Sequence, residues 1–174
     1  MAEMVQSLDE LDILFANIVQ SRLGLPNGKV LISYSQRGQV SSGIDEDVCY
    51  LKVFDEPDER HIWKNRTSKN LGDNIIQSQW TMRTLLVHLV FYGPNADNLS
   101  TRMLEAIYYD STKQYLKENN LAFVPDMTVQ PQIHYEKINE QFWHRSDLKL
   151  YFYNSIKTED TLEIIDNVEF IIKR

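Results

Sequence analysis

One stretch of the sequence organises the whole chain: Thr84-Leu85-Leu86-Val87-His88-Leu89-Val90-Phe91-Tyr92-Gly93-Pro94-Asn95-Ala96-Asp97-Asn98-Leu99. Apolar residues alternate through its first half, which is the pattern of a β-strand with one buried face. The other face carries His88 and Tyr92, is more mixed, and is expected to be partly exposed. The Gly-Pro pair at 93–94 cannot continue a strand ladder, and Asn95 or Asp97 can cap a helix that follows.

A helix is predicted on each side of this strand. The first begins at a capping box, in which Ser7 accepts from first-turn amides and Glu10 reaches back, and it ends near Gly24. The second follows the strand, has a break near Asp110 and ends at 119–120. Both carry an apolar stripe at helical spacing, so we expect both to pack against a sheet.

Alternating patterns predict further strands over residues 29–35, 48–54, 130–137, 142–154 and 161–172, with a turn at 155–160 that makes the last two an antiparallel pair. The order predicts an α+β fold, a mostly antiparallel sheet with two main helices packed on one face. Residues 1–174 are predicted to form a single domain. The other sheet face, which carries Tyr151 and Tyr153, is left open to solvent or a neighbouring subunit.

The composition argues against several classes of function. The chain has 25 acidic and 18 basic residues and a formal net charge of −7, which disfavours a protein that grips nucleic acid through a broad basic face. No apolar run approaches the roughly 18 residues that span a bilayer, and the N-terminus lacks a secretory signal pattern. We therefore expect a soluble protein with no membrane partner. Cys49, the one cysteine, is predicted to be a buried thiol.

The sequence shows no motif of an active site. It has no P-loop, no dinucleotide-binding glycine motif and no nucleophile elbow, and its four histidines are scattered. We therefore predict no catalytic residue, no cofactor and no metal. Two alternatives from other classes stay open: a small metal-dependent hydrolase that uses His134, Glu136 and His144, and a monomeric host binding module of unknown ligand.

Polar loops supply the candidate contact residues. The segment 36–47 is too long for a tight hairpin, and loops of that length are often functional. The segment 55–60 holds four carboxylates. Acidic groups that line a passage repel the phosphate backbone, so DNA can pass without adhering. The candidate lumen or partner contacts are Arg37, Asp45, Glu46, Asp47, Asp55, Glu56, Asp58, Glu59, Trp63, Tyr151 and Tyr153.

Two segments carry a resemblance to a known family. The first is the central strand with its Tyr92-Gly93-Pro94-Asn95-Ala96 turn. The second is the Trp-x-Arg-x-Asp-Leu strand, Trp143-His144-Arg145-Ser146-Asp147-Leu148. With these pieces, the chain from about residue 24 to residue 173 resembles the neck and tail terminator proteins of long-tailed bacteriophages.

The resemblance implies a structural virion protein at the neck that caps the tail tube, ends its polymerisation and provides the head–tail joining surface. It implies a ring, expected to be hexameric, through which phage DNA passes without sequence-specific binding. The implied partners are further copies of the chain, the tail tube protein and the head-completion or stopper protein. The implied location is the virion, with assembly in the host cytoplasm. A head-side adaptor or stopper, or a minor tail protein, is the alternative within this class.

Overall fold

The structure, a computed structural model, describes residues 6–33, 43–59, 64–71, 74–138 and 140–163. The helices in these ranges are α1 (Leu8–Leu23), α2 (Ala96–Ile107) and α3 (Asp110–Glu118), with a 3-10 turn at Pro125–Met127. The strands are β1 (Val30–Ile32), β2 (Val48–Glu56), β3 (Lys64–Leu71), β4 (Asn74–Tyr92), β5 (Leu121–Phe123), β6 (Val129–Ile138) and β7 (Gln141–Glu163). None of the described helices has the length and apolar composition needed to span a membrane.

All seven of these strands join one sheet, whose main path runs β1-β2-β4-β7-β5. β4 and β7 are antiparallel neighbours over their shared length, from the pair Asn74–Glu163 to the pair Tyr92–Arg145. β2 and β3 follow one another along the outer side of β4, and β6 and β5 follow one another along the outer side of β7. β1 alone runs parallel to its partner, β2. The α+β prediction is confirmed.

The core lies between the helices and one face of this sheet. Alternate residues of β2, β4 and β7 are completely buried there: Cys49, Leu51, Val53, Leu85, Val87, Leu89, Phe91, Leu148, Leu150 and Phe152. Phe15 of α1 packs on Phe152 with ring centroids 4.8 Å apart, and Met103 of α2 joins the same cluster. Each such side chain contributes about 1.5–3 kcal/mol of burial free energy. Burial also raises the pKa of the Cys49 thiol, which keeps it protonated.

α1 begins at the predicted capping box. The Ser7 hydroxyl accepts the N–H of Glu10 at 3.2 Å, and the Glu10 carboxylate accepts the N–H of Ser7 at 2.8 Å. The helix ends at Gly24, which has φ of +69°. This reciprocal cap satisfies amides that have no partner within the helix.

α1 also completes the edge of β2. Pairing with β1 stops at Leu51, and the side chain of the buried Asp12 accepts the next N–H facing that edge, from Val53, at 2.7 Å. The second Asp12 oxygen binds the Lys52 ammonium. A buried carboxylate is stable here because it is both hydrogen-bonded and paired with a cation.

The structure corrects the sequence-based expectations for the strands. The predicted turn at 155–160 is wrong, because these residues lie inside β7 and pair with β4; residues 161–163 of the predicted last strand also belong to β7. β3 and β5 were not predicted at all. The predicted break of the second helix near Asp110 is confirmed, because α2 ends at Ile107 and α3 begins at Asp110.

Candidate assembly surfaces

Three strands continue as a sheet beyond the part that the helices cover. We call this extension the arm: β3, residues 74–82 of β4 and residues 155–163 of β7. None of its described side chains is buried. At about 3.4 Å per residue, the eight residues of β3 give it a length of about 27 Å. The arm therefore forms a polar, two-faced sheet that adds nothing to the core.

A polar seam separates the arm from the core. Arg83, which is 9% exposed, donates from Nε to Asn154 Oδ1 at 2.9 Å and from Nη2 to the Gln6 carbonyl at 2.7 Å. Asn154 in turn donates from Nδ2 to the Asn120 carbonyl at 3.2 Å. Burial lowers the pKa of Arg83, against the attraction of Asp55, which raises it. These two hydrogen bonds stabilise the buried guanidinium.

Polar and aromatic contacts between neighbouring strands hold the arm together. Lys157 on β7 places its ammonium 5.4 Å from the ring centre of Trp80 on β4, and its Nζ lies 2.7 Å from Glu159 Oε1. Ser78 donates its hydroxyl to the same Glu159 oxygen at 3.1 Å. The hydrogen bonds from Lys157 and Ser78 lower the pKa of Glu159. Each exposed contact of this kind contributes little free energy. These side-chain contacts therefore stabilise the arm only weakly.

A charged network lies on the sheet face opposite the helices. Arg145 and Asp147 form a two-pronged pair, with Nε to Oδ1 at 2.6 Å and Nη2 to Oδ2 at 2.8 Å. Arg145 Nη1 also donates to Glu136 Oε2 at 3.0 Å, and the Tyr92 hydroxyl donates to that oxygen at 2.7 Å. His88 Nε2 lies 3.5 Å from Asp147 Oδ2. These contacts tie together β4, β6 and β7.

The electrostatics of this network favour ionised carboxylates. Burial opposes ionisation of Asp147, but hydrogen bonds from His88 and Arg145 and their charges outweigh it and hold its pKa well below the ordinary value. The hydrogen bond from Tyr92 likewise lowers the pKa of Glu136, while burial and that same bond raise the pKa of Tyr92. Such carboxylates are weak bases and such a phenol is a weak nucleophile, so the network suits a structural role.

Tyr151 and Tyr153 lie on the same face as this network. They stand opposite Leu86 and Thr84 of β4 and are half-buried. The sequence placed both on the face away from the core, and the register puts them there.

The first acidic segment, 45–47, is largely used to hold the fold. Asp47 accepts the Asn95 N–H at 2.9 Å and the Asn95 side-chain amide at 2.8 Å. Asn95 therefore stands at the start of α2 without capping it through its own side chain. Glu46 lies 2.6 Å from Lys29, and this hydrogen bond lowers the pKa of Glu46. Asp45 is exposed.

The segment 46–47 can lie this close to the start of α2 because residue 93 is a glycine. Its φ is +115°, and a Cβ added there would lie 2.6 Å from Asp47 Oδ1 and 2.6 Å from the Glu46 carbonyl oxygen. Any larger residue would force the two segments apart. The glycine of the Tyr-Gly-Pro-Asn-Ala turn is therefore required by the packing of the segment 46–47.

The second acidic segment begins at the far end of β2. Asp58 accepts the Thr84 hydroxyl at 2.7 Å, Glu56 is half-buried, and Asp55 and Glu59 are exposed. β2 is nine residues long, so the two acidic segments are about 27 Å apart. The fold does not bring them together. Arg37 and Trp63 lie outside the described residues.

A comparison with protein families identifies the chain. The family model described as phage neck terminator protein matches residues 10–174, which include every described strand and all but the first two residues of α1. The chain belongs to the phage neck terminator family. The resemblance drawn from the sequence is thereby confirmed, and the chain is a structural tail-terminator protein of the phage neck and the virion. No curated protein matches this terminator.

The residues of the metal-hydrolase alternative do not form one site in the terminator. Neighbouring residues of a strand point to opposite faces, and the register pairs Glu136 with Trp143 but Tyr135 with His144. Glu136 accordingly binds Tyr92 and Arg145, whereas His144 Nε2 lies 3.0 Å from Asp97 Oδ2 of α2. Within the described residues, no group of three or more His, Cys, Asp or Glu side chains could hold a metal ion.

The arm is the feature of the terminator that sequence reasoning missed. A usable signal was present, because Gly72-Asp73 separates two polar runs and a glycine-led pair is typical of two-residue hairpin loops. The register agrees, since Leu71 pairs with Asn74. The Arg145 network could not have been read in this way, because it depends on the register of three strands.

Proposed function

We propose that the terminator closes into a hexameric ring on the end of the tail tube, stops its polymerisation, and presents its free side to the head-completion or stopper protein. The observation that carries this proposal is the arm. A polar extension of about 27 Å that buries none of its described side chains is suited to contacts with other subunits. Family membership supplies the place of action, the phage neck.

The proposal includes a bore through which DNA passes. Six copies at −7 each would carry −42 in total, and a lining of that sign repels the phosphate backbone. We assign the exposed carboxylates of Asp45, Asp55 and Glu59 to the lining of the bore or to the contact with an axial partner. Glu46, Asp47 and Asp58 hold the fold of the subunit, and Glu56, at the end of β2, is half-buried.

We further propose that the terminator acts through surfaces and catalyses no reaction. The half-buried Tyr151 and Tyr153, with the Arg145 network beside them, form the candidate contact face for a neighbouring subunit or the tail tube protein. Assembly would take place in the host cytoplasm. The residues 1–174 act as one domain in this proposal.

Phage that carry an amber codon in the gene for this chain provide the test. In a host that does not suppress the codon, we expect tails longer than those of the parent phage and DNA-filled heads without tails, seen by electron microscopy. Supplying the chain from a plasmid should restore joined particles. Tailless heads beside tails of normal length would assign the chain to the head side and contradict the proposal.

A further inference from the structure

We infer that neighbouring subunits join by inserting the hairpin of β6 and β7 of one subunit into a groove beside α2 of the next. The occupant of the groove is therefore a second copy of this chain. The inference rests on the proposed ring and names a contact that closes it.

The hairpin presents an apolar face that its own subunit leaves uncovered. Ile133, Tyr135 and Phe142 are 54%, 72% and 67% exposed. They share one face, because Tyr135 pairs with His144 and side chains two residues apart along a strand point the same way. Together they expose roughly 300–400 Å² of mostly apolar surface. Patches of this size usually mark a site of protein contact. We call these three residues the hairpin face.

The hairpin face continues the core face of the sheet beyond its cover. Going outward along β7, Ser146 is buried against α2, His144 is half-buried and Phe142 is exposed. The cover ends at the first turn of α2, where Asp97 Oδ2 lies 3.0 Å from His144 Nε2. Tyr135 stacks on His144 with ring centroids 5.3 Å apart. Apolar residues placed just past the end of this cover are suited to a cover supplied by another subunit.

The groove lies on the other side of α2 and has a volume of about 580 Å³. It runs between the end of α1 and the start of α2, and the buried side chains of Leu25 and Leu99 line it together with the exposed Pro26 and Arg102. Pockets of roughly 300–1,000 Å³ hold drug-sized molecules. The groove therefore has room for two aromatic side chains and offers them apolar contacts.

The two surfaces occupy positions that a ring brings together. Lys29 and Asp47, which line the groove, directly precede β1 and β2, whereas the hairpin lies on the opposite side of β4 in the strand order. Asp47 and residues 141–144 both lie beyond Tyr92, the last residue of β4. Rotation about an axis parallel to the strands moves a surface sideways and keeps its height. It therefore carries the hairpin of one subunit toward the groove of the next, a heterologous contact that closes when the angle permits.

The charges at the two surfaces are complementary. Lys29 and Glu46 of the groove already pair with each other at 2.6 Å. Arg102 is exposed on the α2 side of the groove, and Glu140 is exposed directly before β7 in the hairpin. A guanidinium binds carboxylates and also packs on aromatic rings, so Arg102 suits both Glu140 and Tyr135 of a neighbour. Aromatic residues and arginine are the residues that most often dominate protein interfaces.

Shortening the hairpin face is the first test. Tyr135→Ser with Phe142→Ser is supplied from a plasmid to the amber phage, and we expect the yield of joined particles to fall at least about tenfold. The matched control, Ile13→Ser with Tyr109→Ser, removes two side chains that are more than half exposed on other surfaces and should keep the parent yield. A full yield from a hairpin variant that folds as the parent chain does by circular dichroism would overturn the inference.

Filling the groove tests its other half. Asn98 lines the groove and is exposed, so Asn98→Trp places a ring where the hairpin of the neighbour would enter. We expect the yield of joined particles to fall at least about tenfold. Thr101→Trp is the matched control, because Thr101 is exposed on α2 outside the groove. Equal yields from the two tryptophan variants would contradict the inference.

Cysteine cross-linking tests the junction directly. Pro26→Cys is combined in one chain with Tyr135→Cys or Phe142→Cys. Pro26 lies next to the start of β1, three strand spacings or about 14 Å from β7, so an internal disulfide cannot form. The native Cys49 is buried and does not compete.

Oxidation of tails joined to heads should give a ladder of linked chains for at least one of these two pairs, seen on a non-reducing gel. The matched control is Pro26→Cys with Gln141→Cys, because the side chain of Gln141 lies on the opposite face of the hairpin and should give no ladder. No ladder from either pair, or an equal ladder from the control, would overturn the inference.

Failure of the proposed function gives a different result. Tails of normal length in the amber phage without any chain supplied would overturn the terminator role itself, whatever the variants do. Overlong tails in that phage, together with full yields from the hairpin and Asn98→Trp variants, would leave the terminator role standing and overturn only the hairpin contact.

Discussion

At the scale of single residues, Gly93 determines how the central strand passes into α2. Replacement by alanine places a Cβ 2.6 Å from the Glu46 carbonyl oxygen at a φ of +115°. We expect Gly93→Ala to lower the free energy of unfolding by about 2–4 kcal/mol in urea titrations. Gly28→Ala is the matched control, because φ there is +79° but nothing lies within 4 Å, and it should cost about 1 kcal/mol. Equal losses for the two variants would contradict the packing argument.

Asp147 gives the second prediction at this scale, a pH-dependent one. We expect Asp147→Asn to lower the free energy of unfolding at pH 7 by about 1–3 kcal/mol, because it breaks the pair with Arg145. The pKa of Asp147 is depressed in the folded state, so its stabilisation is complete above the ordinary aspartate pKa and is lost as the pH falls through the folded value. The urea midpoints of the parent chain and of Asp147→Asn should therefore converge as the pH falls below about 4. The control Asp45→Asn changes an exposed carboxylate and should leave the urea midpoint at pH 7 unchanged. A difference in midpoint between the parent chain and Asp147→Asn that grew as the pH fell would contradict this account.

At the scale of elements, β4 runs from the arm, where no described side chain is buried, into the buried core. Residues 83–85 of β4 are buried, whereas 74–82 contain no buried side chain. Local stability follows burial, so in the unassembled chain we expect amide hydrogens of 74–82 to exchange much faster than those of 84–92, as measured by hydrogen–deuterium exchange with mass spectrometry. Assembly on the tail should slow exchange in the arm. Uniform protection along β4 in the free chain would show that the arm is as stable as the core.

The same contrast between buried and unburied strands explains which elements could be predicted from the sequence. The capping box, the alternation in Leu85–Phe91 and the strand at 48–54 were read correctly because burial on one face leaves a periodic pattern. The segment 155–160 was mistaken for a turn because neither face of the arm is buried, so no apolar period marks the strand. Its pairing with β4 decides the structure. The acidic segments were found from composition, but the roles of Asp47 and Asp58 required Asn95 and Thr84 to be placed beside them.

At the scale of the whole molecule, the position of negative charge matters more than its amount. We predict that Asp45→Lys with Glu59→Lys, exposed carboxylates at either end of β2, lowers phage infectivity at least about tenfold, because cations on the bore would hold the DNA backbone. Glu105→Lys with Glu118→Lys changes the net charge equally, on exposed positions of α2 and α3, and should leave infectivity near that of the parent phage. Particle counts by electron microscopy should be normal for both, since all four side chains are exposed. If the two variants lost infectivity equally, the carboxylates at the ends of β2 would have no special place, and the bore would have to be lined by another part of the subunit.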